Sequence, residues 1–337
     1  MQNWFLKQWQ TFGLAQIVLL PLSWLFGVLS AFRRWLYATR LLASYQLPVP
    51  VIIVGNISVG GTGKTPLVIY LVEQLKKMGY TPGIISRGYG GTQSGEVTLE
   101  SNPLDFGDEP VLIAKRTGSP VWVNANRVAA GQALLVQYPQ CNVVISDDGL
   151  QHYRLKRDIE LIVVNSKHSL GNQHLLPSGP LREKVSRFTS VDAIVDTGRA
   201  GLKNKIQQPL PPIFSMQLHM LGIFSLDEQS KMSLDMLKSQ RVVAIAGIGH
   251  PERFFNFVKG LGLQCEYRAF KDHHVFTQQD FADMQDKTLL MTEKDAVKCK
   301  QLALHNAWYM PVSAMLAQNE EQKMLVNLIV EKLQKHS

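Results

Sequence analysis

Lys64 and Thr65 close a glycine-dense turn, Ser58-Val59-Gly60-Gly61-Thr62-Gly63-Lys64-Thr65. Glycine lets the backbone turn with no side chain in the way, so consecutive N–H groups can converge on one anion. Lys64 has the reach for β- and γ-phosphates, and the Thr65 hydroxyl suits Mg²⁺. The general pattern has a glycine where Ser58 stands, and Gly60 and Gly61 supply the freedom instead. The alternative is a glycine-rich turn that binds nothing. Asp147 and Asp148 end the apolar run Val143-Val-Ile-Ser146. An Asp at the end of such a strand holds Mg²⁺ directly or through water. If the strand continues, the two point to opposite faces, so one is expected to be the direct ligand. The competing reading is a pair of Asp residues capping a turn before Gly149. Gln151 and His152 follow, at the strand end where doubly wound sheets bind ligands.

Other polar groups carry two readings each. Asp108-Glu109-Pro110 opens a helix, and by itself that pattern is a cap with favourable charge. Its functional reading is a general base facing the phosphates. Asp272-His273-His274 has no third ligand at i+4 spacing, so zinc is poorly supported. A His paired with a carboxylate across a cleft is the sharper reading, and a polar loop the blander one. Arg87, Arg127, Arg182, Arg187 and Lys184 are basic candidates for an anionic substrate, since the Arg fork matches phosphate. Thr292-Glu-Lys-Asp295 invites comparison with the guanine-reading motif of GTPases. Its order is shifted by one, so no guanine specificity is read.

The elements that must position these groups are legible. Val51 to Val54 reads as a buried strand, and Leu67, Val68, Leu71, Val72, Leu75 and Met78 recur at helical spacing. Further apolar strands are expected at 82–86, 121–123, 142–146, 159–164 and 191–195, with helices at 111–116 and 126–138. Alternation with continuous apolar strands predicts a parallel sheet covered by helices on both faces. A linker is expected over 201–240, and a second, smaller α/β unit over 241–337, with its last strand at 308–312 and closed by a helix from Glu320 to Lys335. The remaining units are 1–44, an apolar segment with a basic flank, and 45–200, the phosphate-loop domain.

The segment Phe12 to Phe32 carries no charged residue and is followed by Arg33, Arg34 and Arg40. About 20 apolar residues can cross a bilayer, but Gln16, Pro21, Ser23 and Ser30 dilute this run. Three readings stand: a span with its Arg-rich side in the cytoplasm, a helix lying in the interface, and a core helix. The run is too long for a signal peptide and lacks a small-residue cleavage site. The chain has 337 residues, 45% of them hydrophobic, and a net charge of +8. That balance suits nucleic acid, an anionic membrane or a phosphorylated substrate. Cys141, Cys265 and Cys299 lie far apart, which fits a reducing compartment.

Six motifs in order carry a resemblance: Gly55-Asn-Ile-Ser-Val-Gly-Gly-Thr-Gly-Lys-Thr-Pro66, Ser86-Arg-Gly-Tyr-Gly-Gly91, Gly107-Asp-Glu-Pro110, Asp147-Asp-Gly-Leu-Gln-His152, Leu181-Arg-Glu183 and Phe270-Lys-Asp-His-His274. Together they closely resemble the tetraacyldisaccharide 4'-kinase family of the Gram-negative lipid A pathway, over essentially the whole chain. The resemblance implies a P-loop α/β kinase with a second α/β unit, needing ATP and Mg²⁺. The implied acceptor is an anionic acylated glucosamine disaccharide 1-phosphate, and the product lipid IVA. The implied place is the cytoplasmic face of the inner membrane, in contact with membrane lipid, without nucleic acid or an obligate protein partner. Among site residues it implies Ser58 to Thr65 on the nucleotide, with Thr65, Asp147, Asp148 and Glu183 on the metal side. Asp108 would be the general base and His273, rather than His274, its helper beside Lys64. Tyr89, Arg87, Gln151, His152 and Arg182 would face the acceptor.

Overall fold

A computed structural model describes residues 8–198, 201–206, 208–316 and 319–335. Residues 1–7 of the expected N-terminal segment, and 199, 200 and 207 about the expected linker, lie outside these. The first sheet begins with β1 (Val51–Gly55), β2 (Pro82–Ser86), β3 (Gly95–Val97), β4 (Val121–Val123) and β5 (Val143–Asp147). It continues with β6 (Ile159–Val164), β7 (Ala193–Asp196) and β8 (Ile213–Met220). The second contains β9 (Ile223–Ser225), β10 (Lys231–Met232), β11 (Val242–Ala246), β12 (Cys265–Ala269), β13 (Thr288–Thr292) and β14 (Ala307–Met310). The last strand, β15 (Val312–Leu316), returns to the first sheet, giving the order β15-β8-β7-β6-β1-β5-β2-β4-β3. The second sheet runs β10-β9-β14-β13-β11-β12.

The strand carrying the glycine loop sits between its two most apolar neighbours. β1 pairs in parallel with β5 on one side and β6 on the other, with Val54 opposite Asp147. That register sets the loop beside the acidic strand end. Side chains alternate across the pleat. Ile52 and Val54 join Leu67, Leu71 and Val111 in one core, while Val51 and Ile53 join Leu134, Leu181 and Phe188 in the other. Helices thus cover both faces, Lys64–Lys77 and Asp108–Thr117 on one and Arg127–Gln137 on the other. Leu71 is fully buried in the first core. Leu71→Ala is expected to lower unfolding free energy by about 2–5 kcal/mol, read by chemical denaturation.

Two sequence expectations are corrected. The stretch expected as a linker holds β8, β9 and β10. Polar and Pro-rich residues before Ile213 mask the alternating burial of Phe214 and Met216 that follows. The expected strand at 308–312 is two strands, because Pro311 lacks the N–H a ladder needs. Before it β14 pairs with β13 and β9; beyond it β15 pairs antiparallel with β8. The helix Asn319–Gln334 follows β15 and buries Leu325, Ile329 and Leu333 in the first core. The C-terminal end expected in the second unit therefore packs on the first sheet, so β8 and β15 form a two-stranded bridge between the units.

The helix Leu14–Ala38 has 25 residues and is long and apolar enough to cross a membrane. Its polarity is inverted relative to a core helix. Gln16, Ser23 and Gly27 are buried, whereas Leu14 is 83% exposed, Val18 75% and Trp24 67%. The inner face is hydrogen-bonded to the body: Ser23 Oγ donates to the Leu175 carbonyl at 2.8 Å and Ser178 Oγ to the Gln16 carbonyl at 2.9 Å. Gly27 lies so close that a Cβ there would sit 2.8 Å from Leu175 Cδ1.

Candidate active site

The loop after β1 is shaped by glycines where the backbone demands them. Gly60 and Gly63 have φ of 106° and 98°, which side chains rarely tolerate. Gly63 caps the helix Lys64–Lys77, so Lys64 and Thr65 occupy its first turn, where the helix dipole also favours an anion. Asn56 Nδ2 reaches the Gly60 carbonyl and Thr62 Oγ1, both at 3.3 Å, bracing the loop from within. Ser58 pairs with Leu181, and Val59 N donates to the Pro180 carbonyl at 2.9 Å. Leu181-Arg-Glu183 is thereby laid along the loop.

The two aspartates part company at the end of β5. Asp148 leaves the strand with φ 48° and is flanked by Lys64 at 3.5 Å and Arg182 at 3.2 Å. Asp147 is almost fully buried, and its Oδ1 has no hydrogen-bond partner. Burial, together with the charge of Glu109, pushes its carboxyl well above the usual range. A buried oxygen left open beside a phosphate loop fits a cation. Mg²⁺ is held by one or two carboxylates and completes its shell with water and phosphate, so Asp147, Asp148 and Thr65 suit it. Glu183, expected at the metal or the nucleotide, has both oxygens engaged. Gln151 Nε2 binds one at 2.8 Å, Tyr153 OH the other at 2.6 Å, and Arg34 stands at 3.6 Å from the second.

The second unit supplies partners for Asp108, which stands on the first. Asp108 begins its helix and is buried. Its Oδ1 accepts the Glu109 N–H at 2.9 Å, and its Oδ2 lies 3.1 Å from His273 Nδ1 and 3.6 Å from Lys294 Nζ. Burial alone would raise the Asp108 carboxyl, but the His273 hydrogen bond and the Lys294 charge hold it below the usual range. The same hydrogen bond raises the His273 imidazole above its ordinary value, against burial. His274 points elsewhere, to Asp280 at 3.2 Å, and stacks on Phe270. Tyr89 packs its ring on His273 at 5.0 Å.

A cavity of about 480 Å³ lies beside Asp147 and Asp148, and its wall residues Tyr89 and Glu109 back onto the His273–Asp108 pair. Arg87, Tyr89, Glu109, Asp147, Asp148 and Arg182 line it, together with Gln151, Glu183 and Lys184. Phe26, Gly27, Ser30 and Ala31 of the N-terminal helix form its other wall. His152, expected to face the acceptor, is not among the residues that line the cavity; burial, with the charges of Arg127 and Arg157, pushes its imidazole down to about 4. Arg187 does not line it: buried against Glu160 at 2.5 Å, it stands 3.5 Å from Glu183 and braces the cavity wall from behind. Arg127 is buried too, its charge directed at the two aspartates. Sequence reasoning missed Arg253, whose guanidinium donates to the Gly61 carbonyl at 2.5 Å; its one signal was a place in the first turn of a helix that follows a strand of the second sheet. It reached Lys294 only within Thr292-Glu-Lys-Asp295, and missed its contact with Glu109 at 3.1 Å.

A glycine loop between a buried strand and a helix, an acidic strand beside it and a shielded carboxylate–imidazole pair define a P-loop phosphotransferase. A family model described as tetraacyldisaccharide-1-P 4'-kinase matches residues 15–331. The chain is 48% identical over 329 residues to a tetraacyldisaccharide 4'-kinase of Methylobacillus flagellatus, covering 97% of this chain and 96% of that one. It is 47% identical over 319 residues to the tetraacyldisaccharide 4'-kinase of Pasteurella multocida, with 93% and 94% covered. Among solved structures, the "apo" form of LpxK from Aquifex aeolicus in complex with ATP superposes with a TM-score of 0.77 at 30% identity. That match covers 95% of this chain and 100% of the other. The chain belongs to the tetraacyldisaccharide-1-P 4'-kinase family.

Proposed function

We propose that this chain transfers the γ-phosphoryl group of ATP to the 4'-hydroxyl of a tetraacylated glucosamine disaccharide 1-phosphate, giving lipid IVA. The observation that carries the mechanism is the Asp108–His273 pair standing directly behind Tyr89 and Glu109 in the wall of the cavity that Asp147 and Asp148 also line, with Lys64 3.5 Å from Asp148. The pair accepts the hydroxyl proton as the sugar oxygen bonds to the γ-phosphorus. The bond from γ-phosphorus to the bridging oxygen breaks, and its electrons leave with ADP. Lys64 and the loop N–H groups hold the phosphates and offset charge on the transferring group. Mg²⁺, held by Asp147, Asp148 and Thr65, would supply further charge neutralisation. Arg87, Arg182 and Lys184 line the cavity where an anionic acceptor is bound, with Tyr89 and Gln151 about it.

The N-terminal helix supports membrane association in the interfacial form. Its apolar residues face outward and its polar residues face the body. A span would strip Ser23 and Ser178 of their partners. Arg33 and Arg40 would then lie near headgroups at the cytoplasmic surface. An acyl chain leaves a bilayer at about 0.8 kcal/mol per exposed CH₂, so the enzyme meets its acceptor at the membrane. Val18→Glu with Leu25→Glu is expected to move the protein from the membrane to the soluble fraction on flotation, while turnover of detergent-dispersed acceptor persists.

The deciding experiment is mass analysis of purified disaccharide 1-phosphate after incubation with the protein, ATP and Mg²⁺. A gain of one phosphoryl group at the 4' position supports the reading. Free phosphate with an unchanged lipid mass would make the chain an ATPase instead, and neither product would leave a nucleotide-gated scaffold.

A further inference from the structure

The motif Thr292-Glu-Lys-Asp295 reads no guanine, yet all four residues are engaged. Thr292 Oγ1 caps the helix Glu293–Cys299 by accepting the Asp295 N–H at 3.1 Å. Asp295 is fully buried and ties the helix to the end of β11: it accepts Gly247 N at 3.0 Å and Thr292 Oγ1 at 2.7 Å, and pairs with Lys298 at 2.7 Å. On that fixed corner Glu293 and Lys294 both face the first unit. Glu293 takes Arg116 on both oxygens, at 3.0 and 2.9 Å. Lys294 Nζ stands among three carboxylates: Glu109 at 3.1 Å, Asp108 at 3.6 Å and Asp272 at 4.0 Å.

We propose that Lys294 is a positioning residue for proton transfer: docked from the second unit, its ammonium keeps Asp108 ionised and fixed in direction. The inference rests on the reading of Asp108–His273 as the proton acceptor. Lys294 and His273 converge on the same oxygen, Asp108 Oδ2, while the helix backbone holds Oδ1. The carboxylate has no freedom to turn. Around it the cations are Lys294 and Lys298 on one helix, and the imidazole of His273 on the loop opposite. Glu109 on its own helix and Asp272 beside His273 oppose them. Tyr89 closes the remaining side of the imidazole.

The electrostatic sign is the same for both members of the pair. Removing the ammonium takes an opposite charge from Asp108, so its proton affinity rises. It also takes a like charge from His273, so that affinity rises too. Activity requires the pair unprotonated beyond its resting state, so the acid limb of the kcat–pH profile must move up. An opposite charge at such a distance is worth about one unit or more.

The test is the kcat–pH profile of the full-length enzyme with disaccharide 1-phosphate as acceptor. Lys294→Met is expected to lower kcat about tenfold near neutral pH and to raise the acid limb by about one unit. Lys294→Gln, which keeps a donor for Glu109 should the Met variant not fold, shifts it the same way. Lys294→Arg restores the limb. Arg116→Met breaks the adjacent cross-unit pair and leaves the limb in place. An unmoved limb in the Met and Gln variants, or an equal shift in Arg116→Met, overturns the inference and makes Lys294 a strut between units. Asp108→Asn distinguishes the two levels: if it retains turnover, the proton-acceptor reading fails; if it is inactive while the Lys294 limb stays put, only this inference fails.

Discussion

Asp108→Asn is expected to lower kcat by about 10³-fold, within the span general-base catalysis commands, while ATP affinity stays within about threefold of the parent. The substitution separates two roles that occupy one position. Asp108 is the first residue of the helix Asp108–Thr117, after the N-cap Gly107, and there Asn keeps the oxygen that takes the Glu109 N–H and gives up only a favourable first-turn charge. As a proton acceptor it cannot serve at all. The amide keeps the shape that His273 and the Glu109 N–H surround, so the fold should persist. Turnover measured beside calorimetric ATP binding reads both. If binding falls in step with kcat, the role of Asp108 is structural. The pH dependence has a definite sign. Asp108 lies below the usual carboxylate range and His273 above the usual imidazole value. Turnover therefore falls as pH drops through the raised His273 range, and is not limited by Asp108 near neutrality.

Lys64→Ala is expected to lose about 10³-fold or more in kcat, because positioning and electrostatic stabilisation are most of what a phosphotransferase supplies. Here ATP affinity falls as well, in contrast to Asp108→Asn. Lys64 occupies the first turn of the helix after the loop, and Asp148 stands 3.5 Å away. Removing the lysine leaves Arg182 as the ion-pair partner of Asp148 among the described residues, with Arg127 further off, and adds negative charge where phosphates must sit. Lys64→Arg restores little, since a planar fork does not reproduce a compact ammonium in a tight loop. Single-turnover kinetics with bound ATP isolates the chemical step. Full turnover in Lys64→Ala would remove the glycine loop from the reaction.

The sequence alone reached the parts whose causes are local. A continuous apolar run, a glycine-dense turn and Lys-Thr at a helix start lie within 15 residues, Val51 to Thr65, so their meaning needs no partner from elsewhere. The same holds for Val143 to Asp148, where an apolar strand ends in two acids. Whole-chain motif order then pointed to a family, and the comparisons show it. What lay beyond reach involves contacts distant in sequence. Asp108 by itself is a helix opener; only a partner 165 residues later makes it half of a proton-accepting pair. Neighbouring His residues are equivalent on paper, and the turn that gives His273 a φ of 57° sends one to Asp108 and the other to Asp280.

Pro311 looked like part of one strand, yet it divides two sheets, because which ladder a segment joins depends on edges formed elsewhere. The N-terminal segment shows the same division. Its length and apolarity were plain in its own residues. Which face turned outward was set by Leu175 and Ser178, far along the chain, which bond Ser23 and Gln16 and so leave the apolar side unpartnered. Composition and short spacing fix strands, helices and an anion-binding turn because those depend on neighbouring backbone. Charge pairing, shielding from water and the direction of a side chain depend on what tertiary packing brings opposite, and that was decided only by the folded chain.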